Sequence, residues 1–106
     1  MIDERKIKKL IGMGASRWSK GGRDRLYLNN SYKNLLKLKV SKYNSGNISS
    51  AYMGDEQISN RKAADIISFS KDTYINLITD EVVVNRDNIT KVEEYKELIK
   101  KSIEAL

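Results

Sequence analysis

The residues best equipped for chemistry are gathered in one run, Arg17-Trp18-Ser19-Lys20-Gly21-Gly22-Arg23-Asp24-Arg25-Leu26-Tyr27. Four cations and two aromatic side chains share it with a Gly-Gly pair. A pliant backbone thus carries charges that neutralise phosphates and rings that stack on bases, the combination used by proteins that hold single strands. Lys33, Lys37, Lys39 and Lys42 extend the positive charge beyond the run. A structural reading fits the same residues equally well. Tryptophan buries readily, so Trp18 could anchor the base of a loop whose cations are merely solvated. Lysines on a strand edge also block edge-to-edge pairing without binding anything.

Other patterns in the chain carry less. Gly12-Met13-Gly14 follows a helical segment instead of a strand and lacks the third glycine of a dinucleotide fingerprint. No glycine immediately precedes Lys20, so a phosphate loop is excluded as well. The carboxylate pairs Asp55-Glu56, Asp80-Glu81 and Glu93-Glu94 fall in expected turns or on a helix surface, where solvation is their natural role. Glu94-Tyr95-Lys96 matches an acidic-x-Lys string of metal-dependent nucleases, but on a helix instead of a strand. Arg23, Arg25, Tyr27, Lys37 and Tyr43 are residue types with which a small basic ribonuclease of RelE-like type could work without histidine. No spacing fixes their mutual geometry, so no catalytic residue is assigned.

Composition narrows the classes further. The 106 residues fit one domain with one core. With no Cys and no His, only oxygen ligands for hard cations remain; a structural zinc site and disulfides are both excluded. No metal or cofactor is expected. The N-terminus has no signal-like apolar run, and no stretch is apolar for long enough to span a bilayer. The expectation is a cytoplasmic protein with no membrane partner. Residues 1–44 hold 12 Lys+Arg against 3 Asp+Glu, a charge of +9, whereas residues 45–106 hold 8 against 11, a charge of −3. Such a field attracts polyanions to the N-terminal part.

Patterning supplies the scaffold. Asp3 caps a helix carrying Ile7, Leu10 and Ile11, which Gly12 and Gly14 end. Residues 15–24 read as a loop. Residues 25–29 alternate as a strand with Leu26 and Leu28 inward. A short helix capped by Asn30 or Ser31 follows, although an entirely β reading of this part stays open. Residues 38–43 and 48–53 form a hairpin about a turn at 44–47, and Gly54-Asp55-Glu56 closes it. Ser59 caps a helix through Ser68, and residues 73–78 and 81–85 make a second hairpin. Thr90 and Glu93 form a capping box for a last helix with Val92, Tyr95, Ile99, Ser102, Ile103 and Leu106 on its apolar face. The expected fold is α+β: one antiparallel sheet of about four or five strands packed with N-terminal, central and C-terminal helices.

Two stretches resemble a family of small bacteriophage and mobile-element proteins of uncharacterised function. One is Gly14-Ala15-Ser16-Arg17-Trp18-Ser19-Lys20-Gly21-Gly22-Arg23-Asp24-Arg25-Leu26-Tyr27-Leu28-Asn29. The other is Tyr43-Asn44-Ser45-Gly46-Asn47-Ile48-Ser49-Ser50-Ala51, continued by Gly54-Asp55-Glu56-Gln57-Ile58-Ser59-Asn60-Arg61-Lys62-Ala63. The resemblance implies a mobile-element origin and transfers no active site. With the charge map it leads to a non-enzymatic binding protein whose basic part engages nucleic acid or a host nucleoprotein complex. The alternative is a protein-protein inhibitor of host defence of the anti-CRISPR type, with Trp18 and Tyr27 as anchors. Oligomeric state is left open.

Overall fold

A computed structural model describes residues 2–85 and 89–106. The first helix, α1 (Glu4–Met13), begins where the Asp3 carboxylate accepts the Lys6 amide at 2.9 Å. It ends at Gly14, whose φ of 122° suits glycine and whose amide returns to the Leu10 and Ile11 carbonyls. A Cβ at Gly14 would also stand 3.5 Å from the Ser31 amide nitrogen, so two segments meet closely here. Gly12 lies within the helix instead of ending it.

The segment expected as a loop at 15–24 is mostly a hairpin. β1 (Ser16–Lys20) and β2 (Arg23–Tyr27) pair antiparallel through Gly21-Gly22, both at positive φ. Two consecutive residues with positive φ are what a tight hairpin of right-handed twist requires, and Gly-Gly supplies them without strain. Every residue of β1 is exposed, so the strand lacks the apolar alternation by which sequence announces a strand.

After α2 (Ser31–Leu35) come β3 (Leu38–Lys42), β4 (Ile48–Met53) and β5 (Glu56–Ile58). The third of these replaces the expected end of the hairpin: Gly54, at a φ of 62°, turns the chain so that Glu56 pairs with Met53. Ser59 caps α3 (Asn60–Ser70) by accepting the Lys62 amide at 3.0 Å. The expected second hairpin forms between β6 (Tyr74–Asn76) and β7 (Glu81–Val83), where Asn76 Oδ1 accepts the Ile78 amide at 2.9 Å. The last helix, α4 (Ile89–Glu104), starts early enough to enclose Thr90 and Glu93, so Thr90 does not cap it; residues 86–88 lie outside the described ones.

The α+β class is as expected, with the strands divided between two antiparallel sheets. The first has order β1-β2-β6-β7 and the second β3-β4-β5. Leu26, Ile75 and Val82 stand in register across the first sheet and are buried, joining Ile7, Leu10, Tyr32, Val92, Tyr95, Ile99 and Ile103 in one core. Tyr95 takes its hydroxyl into that core because Ser70 Oγ meets it at 2.6 Å. Burial pushes the Tyr95 phenol up, with the Ser70 and Thr73 hydroxyls opposing. Among the described residues no helix is long and apolar enough to cross a membrane.

Candidate nucleic-acid interface

Because side chains alternate along a strand and paired residues share a face, the register of the first sheet fixes what its two surfaces carry. Leu26, Ile75 and Val82 face the core. The opposite surface carries Ser16, Trp18 and Lys20 from β1, Arg23, Arg25 and Tyr27 from β2, Tyr74 and Asn76 from β6, and Glu81 and Val83 from β7. Each of these is exposed or half-buried, so this face is open.

At its centre lies a cluster of rings around one guanidinium. Arg25 Cζ sits 4.5 Å from the Tyr74 ring centroid and 5.9 Å from that of Trp18. Arg25 Nη1 donates to the Tyr27 hydroxyl at 3.2 Å, and the Tyr27 and Tyr74 rings lie 5.3 Å apart at 47°. The Tyr27 hydroxyl raises the already high pKa of Arg25, so this side chain remains a cation throughout the working pH range. Trp18 is 41% exposed, which makes it a surface ring and not the core anchor that its residue type also allowed. An aromatic ring held at a fixed place costs little entropy on stacking, and a guanidinium plane stacks as well as it pairs.

Lys20 and Arg23 close the hairpin on this same face, opposite each other beside the Gly-Gly turn. Arg17 does not join them. It pairs with Leu26 on the core side, where Nε and Nη2 bind the two Asp24 oxygens at 3.0 and 2.8 Å and Nη1 reaches Glu4 on α1 at 3.2 Å. Arg17 therefore clamps the hairpin to the helix. Lys37, Lys39 and Lys42 belong to the second sheet and its approach. Lys37 follows α2 and accepts the Gly54 amide on its carbonyl; Lys39 stands opposite the exposed Tyr52; Lys42 lies at an irregularity in the register. The residues considered for a ribonuclease are divided in the same way, with Arg23, Arg25 and Tyr27 on the first sheet and Lys37 and Tyr43 beside the second.

Tyr74 and Asn76 carry no signal of a site in the sequence. Their alternation with Ile75 marks a strand face, but which strand lies beside it is decided by pairing between distant parts of the chain. A separate groove of about 460 Å³ lies between α3 and α4, floored by Ile66, Phe69, Tyr95 and Leu98. The Lys91 ammonium crosses it to Asp65 at 3.1 Å.

The clamp has an acid limit. Arg17 holds the Asp24 carboxyl below its ordinary value of 3.8, against a smaller opposing effect of burial. A carboxyl depressed in the folded state stabilises that state fully above its unfolded pKa and loses the contribution as pH falls through the folded value. Urea midpoints should therefore fall more steeply below about pH 4 for the wild type than for Asp24→Asn, with the two profiles parallel at neutral pH.

No family model matches the chain, and no curated protein or solved structure matches it.

Proposed function

We propose that the protein binds single-stranded nucleic acid on the open face of its first sheet. The observation that carries this reading is the cluster of Trp18, Arg25, Tyr27 and Tyr74 on one uncovered surface, with Lys20 and Arg23 at its end. An exposed ring such as Trp18 stacks on any base, and cations beside it neutralise the phosphates that accompany that base. The excess of positive charge in residues 1–44 draws such a ligand to this part of the chain. In the mobile-element setting that the sequence resemblance implies, the strand is either free nucleic acid or the accessible segment of a host nucleoprotein complex.

The test is the anisotropy of a labelled single strand measured as a function of salt. Affinity should fall steeply as salt rises, and the double variant Lys20→Ala/Arg23→Ala should reduce the slope of log affinity against log salt by about 0.7 to 1, the value for one phosphate left without its cations. Undetectable binding, or binding indifferent to salt, would overturn the proposal. A host protein that stays bound to the tagged chain after nuclease treatment, and is released by Trp18→Ala, would favour the inhibitor reading instead.

A further inference from the structure

Resting on that single-strand reading, we infer that the ligand's footprint is one dinucleotide step laid along the β1-β2 hairpin, with one base on Trp18 and its neighbour on the Tyr27-Tyr74 pair. The open face is organised in rows. Lys20 and Arg23 form the row at the hairpin tip; Trp18, Arg25 and Asn76 form the next; Ser16, Tyr27 and Tyr74 form the third. Successive rows are two residues apart along each strand, about 6.8 Å, which is twice the separation of stacked bases. Bases resting on neighbouring rows cannot stack on each other, so the face takes an unstacked strand and admits one base per aromatic row.

Arg25 lies between the two ring positions, in reach of both Trp18 and Tyr74. One of its five N–H donors goes to Tyr27, which leaves others for the phosphate that links the two bases. The tip cations take the next phosphate. Charge also fixes the sideways placement. Lys20, Arg23 and Arg25 stand on β1 and β2, whereas Glu81 stands on β7 in the row of Asn76, so the phosphates lie over the hairpin and away from β7.

The track stops after two bases. Beyond Ser16 the side chain of Asn29 closes the end of the face, donating to Ser16 Oγ at 2.9 Å and to the Gly14 carbonyl at 3.4 Å, and Ala15 is buried. At the other end the rows finish at the Gly21-Gly22 turn, which carries no ring.

Titration of the full chain with thymidine oligonucleotides of two to eight units tests the footprint. Affinity corrected for the number of registers on each strand should level off at three nucleotides. Removing either of the two stacked bases from the trimer should weaken wild-type binding by roughly tenfold. In Trp18→Ala one of those removals should become harmless while the other still costs; in Tyr74→Ala the roles should exchange, and Tyr74→Phe should behave as the wild type. Corrected affinity that climbs through six nucleotides, or two Ala variants blind to the same base, would overturn the footprint while leaving single-strand binding in place. Binding to none of the strands would overturn both readings.

Discussion

Trp18→Ala is expected to weaken binding of a short single strand by about 1 to 3 kcal/mol, roughly five- to 150-fold, the range found when a ring that stacks on a base is removed. The loss should come without a matching loss of fold. Trp18 is on an edge strand whose residues are all exposed, and it stands outside the buried core cluster. Urea unfolding should therefore move by no more than about 0.5 kcal/mol, as for other surface substitutions. Tyr or Phe at this position keeps a ring and should retain most of the affinity, whereas Leu keeps apolar area without a π face and should behave as Ala. A binding loss that follows side-chain size and ignores aromaticity would contradict stacking. Denaturation curves and anisotropy titrations on the same samples separate the two effects.

Leu26→Ala should do the opposite. Leu26 is completely buried and lies between Arg25 and Tyr27 in β2, so its side chain points into the core while theirs point out. Removing it leaves a cavity in the core beside Ile75 and should cost about 2 to 5 kcal/mol of stability. That is a large fraction of the roughly 5 to 15 kcal/mol that holds a domain together. The urea midpoint should fall with the slope unchanged. Where the variant is still folded, its affinity for a single strand should match the wild type once the folded fraction is counted. Together these two results would place support and contact on opposite sides of one sheet.

Much of this arrangement is legible in local pattern. Asp3 and Ser59 have the residue type and context of helix caps, and both act as caps. Leu26 and Leu28 alternate with polar neighbours and are both buried. The 44–47 turn and the hairpins at β3-β4 and β6-β7 rest on Gly, Asn and β-branched residues whose preferences are local. The features that local pattern hides are non-local or lack an apolar signature. β1 has no buried residue, so its run of Ser, Arg, Trp and Lys reads as loop although Gly21-Gly22 is a competent hairpin turn. β5 is only three residues long and follows a glycine that looks like an ending. Thr90 and Glu93 have the spacing of a capping box, yet α4 is already under way at Ile89.

The site divides along the same line. Its positive charge and its leading ring are visible in residues 17–27, but the sorting of those residues into faces depends on register. Arg17 is adjacent to Trp18 in sequence and on the opposite side of the sheet, bound to Asp24 and Glu4. Tyr74 arrives from the far part of the chain because β6, and not a strand nearer in sequence, pairs with β2. That pairing completes the cluster, holding the Arg25 guanidinium on Tyr74 as well as on Tyr27.

Trp18 is the only tryptophan, so its emission reports directly on the proposed contact. Titrating the protein with a short thymidine oligonucleotide at low salt, while following both Trp18 fluorescence and the anisotropy of a label on the strand, tests the central claim. Stacking of a base on the indole should quench the emission in a saturable way, with the same midpoint as the anisotropy and with reversal on addition of salt. Anisotropy that reports binding while Trp18 emission stays unchanged would contradict a contact at the open face, and the absence of both signals would contradict nucleic-acid binding itself.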